Sequence, residues 1–156
     1  MERVIGIGEY VISGNPEDKI ITYTLASCVA VTAYSCFRKV AGMVHIILPF
    51  PSENREIGLG PCHYAITGIP LMINRMCSEY GCVKSELSVK LFGGADSIKE
   101  DDIFRLGFKN IETAKMVLEN MELTIAASET GGQLSRTLEM DVATGIVMIK
   151  SQPIII

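Results

Sequence analysis

The stretch "SCVAVTAYSCFRKVAGMVHIILP", residues 27–49, decides how this chain is read. Two runs of β-branched and small apolar residues, 28–34 and 40–48, flank a short link at Ser35–Lys39, which is the pattern of a β-hairpin. Residues facing each other across such a hairpin have numbers with a constant sum. A turn centred on Cys36–Phe37 or on Phe37 makes that sum 73 or 74, so Cys28 is expected opposite His45 or Ile46. Directly opposed residues hold their Cβ atoms about 4.5–5.5 Å apart on one face. A slip of one residue turns His45 to the other face, so the argument rests on register.

Upstream, "RVIGIG" and "EYVIS" (3–8 and 9–13) read as short strands, "GNPEDK" (14–19) as a turn and "IITYTL" (20–25) as a further strand. The Gly6-x-Gly8 pair lacks a third glycine and leads into a strand, so it is no dinucleotide fingerprint. Downstream, "FPSENREIGLG" (50–60) is a polar loop of a length that suits a surface flap or binding segment. Residues 61–81 carry Ile66, Ile69, Ile73, Met76, Cys77 and Tyr80 at helical spacing, with Pro70 expected to kink the helix or break it after Ile66. A strand over 87–97 and one over 123–133 each contain a double glycine. Asn110 is expected to cap a second helix running to Met121, with Ile111, Ala114, Leu118 and Met121 on one face. Residues 138–150 read as a terminal hairpin around Gly145. The expectation is one α+β domain over residues 1–156, with mixed and antiparallel sheets in a layered sandwich and two main helices packed on the sheet.

Length and composition agree with that size. The 156 residues are 48% hydrophobic and 21% charged, which suits a chain with a core and excludes disorder. A net charge of −4 argues against tracking a phosphate backbone, so no nucleic-acid partner is expected. No apolar run is long enough to span a bilayer, and "MERVIGIGEY" is unlike a signal peptide. The expectation is a cytoplasmic protein without membrane insertion. The five cysteines, Cys28, Cys36, Cys62, Cys77 and Cys82, are read as free thiols. Cys62, His63, Cys77 and Cys82 lack the tight paired spacing of a zinc site, so neither a metal nor another cofactor is expected.

With only two histidines, His45 and His63, the search for a general base is short. Thr22, Ser27, Cys28 and His45 are polar groups inside apolar strands, and buried polar groups need partners. A thiol with an imidazole is the minimal set for nucleophilic catalysis. Packing is the competing reading, because lone cysteines are commonly buried and a histidine on an apolar strand can be a satisfied core residue. Cys62 and His63 are sequence neighbours whose side chains point apart on a helix. Gly93–Gly94 and Gly131–Gly132 either make tight turns or let a substrate backbone come close. Arg136 either anchors an acidic group of a substrate or partner, or lies on a solvated strand face.

The ordered motifs "VIGIGEY", "TLASCVAV", "GMVHIILP", "LFGGA" and "ETGGQLSRTLEMDVATG" resemble those of the CheD family, the chemoreceptor glutamine deamidases of bacterial and archaeal chemotaxis. The spacing Thr22-x5-Cys28-x16-His45 matches the family's Thr, Cys and His catalytic positions. The resemblance implies hydrolysis of receptor glutamine amides to glutamate and ammonia. Cys28 is then the nucleophile, His45 the base and Thr22 its orienting group, with the oxyanion held at the backbone N–H of Cys28 and the site shaped by Ala26 and Ser27. It also implies two partners, the cytoplasmic helices of chemoreceptors and a CheC-type phosphatase. A regulatory binding module with little catalysis and a receptor methylesterase are the rival functions. Departures from the family pattern are Ala26 where Gly is usual, Lys109 where Arg is common before Asn110, the Gly68-Ile69-Pro70 interruption, and Ile66 where an acidic residue is expected.

Overall fold

A computed structural model of the chain describes residues 1–52, 59–96 and 104–154. Most of the expected flap, residues 53–58, lies outside the described residues. In chain order the elements are β1 (Glu2–Val4), β2 (Tyr10–Ser13), β3 (Lys19–Leu25), β4 (Val29–Ser35), β5 (Val40–Ile46), α1 (Ala65–Tyr80), β6 (Leu87–Gly93), α2 (Leu106–Asn120), β7 (Ile125–Thr130), β8 (Leu134–Asp141) and β9 (Val147–Pro153). They build two mixed sheets, one ordered β1-β3-β8-β9 and the other β2-β5-β4-β6-β7. The α+β layered architecture expected from sequence is the one observed.

The hairpin β4–β5 sits in the middle layer. Every residue of both strands is buried, because each face of this sheet is covered. Val29, Val31, Ala33, Val44 and Ile46 face the core made with α1 and α2. Alternate residues Ala30, Tyr34, Ala41 and Met43 face a second core, shared with Ile20, Leu25, Leu138 and Met140 of the other sheet. The near-continuous apolar character of 28–48 follows from these two covered faces.

Helix α1 is shorter and turned relative to expectation. A separate 3-10 turn, Pro61–His63, precedes it, and the helix then runs unbroken through Pro70. Proline removes only the bond to the Ile66 carbonyl, near the helix start, and Ile66 lies on the exposed side. The buried stripe is Ala65, Gly68, Ile69, Met72, Ile73 and Met76; Ile66 and Tyr80 are outside it. Gly81, left-handed at φ 72°, ends the helix with its N–H on the Met76 carbonyl.

Helix α2 begins at Leu106, four residues before the expected cap. Asn110 is therefore in the first turns of the helix and fully buried. The strand expected over 87–97 ends at Gly93, and that expected over 123–133 occupies Ile125–Thr130. These two strands pair in parallel, joined through α2, which makes the five-stranded sheet mixed. The terminal hairpin is β8–β9, paired antiparallel from Leu134↔Pro153 to Met140↔Val147.

Candidate active site

The hairpin register differs from the one expected. Ser35 pairs with Val40, Ala30 with His45 and Val29 with Ile46, a constant sum of 75. The link is thus four residues long, closed by Lys39 in the left-handed region at φ 55° and by the Arg38 N–H on Ser35 Oγ, 3.1 Å. Cys28 consequently does not oppose His45. It stands one pleat along from Ala30, His45's true partner, and packs in the same inter-sheet core as Ala30 and Phe92. Thiol and imidazole share a face in the diagonal relation, where the spacing is about 7–8 Å between Cα atoms.

His45 is 3% exposed and its backbone is fixed by the β2 edge, donating to the Glu9 carbonyl at 3.1 Å and accepting from the Gly8 N–H at 2.8 Å. Its ring crosses to the other sheet, where Nδ1 lies 2.7 Å from Thr22 Oγ1. Thr22 Oγ1 also donates to the Ile5 carbonyl at 2.9 Å. One hydroxyl has one proton, so Thr22 accepts from Nδ1–H and the imidazole lone pair is on Nε2. Nε2 is buried with no hydrogen-bond partner among the described residues. Thr22 is placed by a bulge in β3: between the pairs Thr22↔Leu138 and Leu25↔Arg136 the strand carries an extra residue, with Thr24 at φ 56°.

Burial governs the protonation states. It pushes the Cys28 thiol up to about 11, slightly offset by a bond from the residue's own N–H. Burial also takes His45 down to about 4, against a weaker opposing pull from Glu9. The resting pair is a neutral thiol and a neutral imidazole, not an ion pair.

The bend that presents Cys28 is held at three consecutive carbonyls. Ala95 N–H donates to Ala26 O at 2.7 Å, Asn110 Nδ2 to Ser27 O at 2.9 Å, and Gly94 N–H to Cys28 O at 2.8 Å. Asn110 Nδ2 also donates to Ile47 O at 2.9 Å, tying the start of β4 to the end of β5. Gly93 has φ 99°, and a Cβ there would stand 2.3 Å from Cys28 O, so this glycine permits the approach of two backbones. A Cβ on Gly94 would collide with the Ile111 side chain.

Gly131 and Gly132 form the neighbouring turn, also left-handed, with open space around Gly131. The two turns are laced together by Gly131 N–H on Gly93 O at 2.9 Å and Asp96 N–H on Gly132 O at 2.7 Å. Arg136 is not on a solvated face, since it is 4% exposed. Its guanidinium donates to Gly131 O at 2.8 Å and reaches Gly93 O at 3.5 Å, while Nε lies 3.7 Å from Glu129 Oε1. The sequence pattern could not reveal this, because the acceptors are glycine carbonyls distant in the chain. Asn110 was missed for a different reason: its polar character suggested a cap, although it is in phase with the buried Ala114, Val117 and Leu118.

Of the remaining cysteines, Cys36 is exposed, Cys77 partly buried, and Cys62 and Cys82 buried in the helix-side core. Among the described residues no three His, Cys, Asp or Glu side chains are grouped to hold a metal ion. No described helix is long and apolar enough to cross a membrane.

This is an α+β protein with an imidazole bonded to a hydroxyl between two sheets and a thiol on the same face. A family model described as "CheD chemotactic sensory transduction" matches residues 47–151, beginning two residues after His45. Similarity to curated proteins extends over nearly the whole chain. The chain is 37% identical over 152 residues to the probable chemoreceptor glutamine deamidase CheD of Pyrococcus abyssi, covering 96% of this chain and 91% of that protein. It is 38% identical over 151 residues to the protein of the same description from Syntrophotalea carbinolica, covering 95% and 93%. The chain belongs to the CheD family. Among solved structures it is similar in fold to Bacillus licheniformis YfiH (TM-score 0.53, 11% identity, 80% of this chain) and Geobacillus stearothermophilus YlmD (TM-score 0.52, 12% identity, 81%). It spans about half the length of each, 51%.

Proposed function

We propose that this chain acts as a CheD-type domain over residues 1–156 that hydrolyses glutamine side-chain amides of chemoreceptors, with Cys28 as nucleophile. The names of its full-length relatives support the substrate class. One observation carries the mechanism. Thr22 Oγ1 accepts a hydrogen bond from His45 Nδ1–H, leaving the buried Nε2 with its lone pair on the face that Cys28 shares.

In this mechanism the Cys28 sulfur bonds to the carboxamide carbon while its proton passes to His45 Nε2. Burial disfavours both the thiolate and the imidazolium, so a free ion pair lies above the neutral pair. Proton transfer is therefore concerted with C–S bond formation. The oxyanion is held by the Cys28 N–H. His45 returns the proton to the leaving nitrogen as the C–N bond breaks and ammonia departs. Water, deprotonated by His45, then opens the thioester to glutamate and free thiol.

The test is incubation with cytoplasmic receptor fragments followed by peptide mass spectrometry. Glutamine-to-glutamate conversion by the wild-type chain and none by Cys28→Ala is the expected outcome. Conversion persisting in Cys28→Ala moves the chemistry elsewhere.

A further inference from the structure

We infer that Asn110 is a positioning residue that aims the oxyanion donor of Cys28 into the inter-sheet site. The inference rests on the Cys28 deamidation proposed above and deepens it. The Ser27 carbonyl and the Cys28 N–H belong to one peptide unit. The described chain has no cis peptide bond, so these two groups point in opposite directions. Asn110 projects from α2, on the helix side of the middle sheet, and draws the Ser27 carbonyl towards itself with a 2.9 Å bond. The N–H of Cys28 is thereby turned away from α2, towards the face that holds Cys28 and His45.

The amide's orientation is dictated by its neighbours. Both contacts of Nδ2 are to carbonyls, Ser27 O and Ile47 O at 2.9 Å each, so only the NH2 end can sit there. Its Oδ1 is left buried without a partner among the described residues. A buried amide with one end unsatisfied costs stability, so the donating end has a role beyond filling space. The carbonyls on either side, Ala26 O and Cys28 O, are held by backbone N–H groups of Ala95 and Gly94. Ser27 O is the member of the three held by a side chain, hence the one whose grip a substitution can remove. Asn110 touches neither thiol nor imidazole in these bonds. Of its two bonds, the one to Ser27 O acts on the peptide that receives the oxyanion, and neither reaches the reacting groups directly.

That indirect action gives the test. Alkylation of Cys28 by iodoacetamide displaces iodide and builds no oxyanion, whereas deamidation does. Asn110→Asp keeps the shape and loses the paired donors; Asn110→Ala removes both ends. With folding checked by circular dichroism, kcat for a receptor fragment is expected to fall about 100-fold, the scale set by a misplacement near 1 Å. KM and the Cys28 alkylation rate, followed by mass spectrometry, are expected to stay within about threefold. Unchanged kcat, or alkylation falling in step with kcat, overturns the inference. If neither variant folds, the wild-type protein decides. A peptide with glutamate semialdehyde adds to Cys28 as a hemithioacetal, the S–C bond forming and the thiol proton passing to the former carbonyl oxygen. The Cys28 amide proton must then move downfield in an 15N-resolved NMR spectrum, and no shift overturns the inference. Deamidation surviving in Cys28→Ala refutes both this assignment and the function beneath it. An inactive Cys28→Ala beside a fully active Asn110→Asp refutes the positioning alone.

Discussion

At Thr22 a single proton decides what His45 can do. Because the hydroxyl proton is committed to Ile5 O, the ring must donate from Nδ1 and keep its lone pair on Nε2. Thr22→Val removes that acceptor while preserving volume, and a neutral hydrogen bond of about 1 kcal/mol corresponds to a kcat loss of about fivefold; Thr22→Ser is expected to retain most activity, and equal losses in both variants would point to packing instead. His45→Ala should fall close to Cys28→Ala, and the double variant should be scarcely worse than either, since parts of one catalytic unit are not additive. The neutral resting thiol has its own signature. With its proton held up to about 11 by burial, Cys28 is expected to react with iodoacetamide at pH 7 after the exposed Cys36, its rate climbing as pH rises. A mass-spectrometric time course that labels Cys28 first would show an activated thiolate in the free protein.

At the level of the element, the β4–β5 hairpin was legible and its register was not. Two apolar runs around a short polar link predict the hairpin by pattern alone. The sum of 75 depends on Lys39 adopting a left-handed conformation, which nothing in a lysine announces. This conformation costs an L-residue roughly 1–2 kcal/mol, and glycine adopts it freely. Lys39→Gly is therefore expected to raise the melting temperature by a few degrees, with activity unchanged; a lower melting temperature would mean the lysine side chain contributes more than its backbone loses. Gly93→Ala tests the opposite case. Its Cβ would meet Cys28 O, a backbone atom that cannot step aside, so loss of both stability and deamidation is expected from thermal melts and activity assays. The helices show the same division. Their existence followed from periodicity, but the stripe on α1 is turned away from Ile66, and α2 begins before Asn110, because tertiary partners set these details.

For the whole molecule, stability should carry the mark of a buried neutral pair. His45 is held at about 4 when folded against its ordinary 6.5, so the unfolded chain takes up this proton first as pH falls. Stability from this group is complete above about pH 6.5, declines towards pH 4 and then levels, a total of about 3 kcal/mol. Cys28 acts on the alkaline side: the unfolded thiol ionises from its ordinary 9, the folded one at about 11, and stability is lost across that window. Melting temperatures should form a plateau between about pH 6.5 and 9, and His45→Gln should flatten the acid limb. An unchanged acid limb in His45→Gln would assign that slope to other groups. The layered α+β class could be read from the alternation of strand and helix patterns. The pairing of β3 with β8 within one sheet, and the contact of Thr22 with His45 across the two sheets, could not, because both join residues of separate strands that no local pattern links.

The three carbonyls that fix the Cys28 bend have a consequence for how the protein is made. Their donors are Ala95, Gly94 and Asn110, the last 83 positions further along the chain. A ribosome adding about 5–20 residues per second needs several seconds to span that distance. Until that interval ends, the hairpin has its sequence but not its full set of braces. The newborn segment thus carries Cys28 as an ordinary thiol, and the geometry that would receive a substrate is withheld until α2 docks.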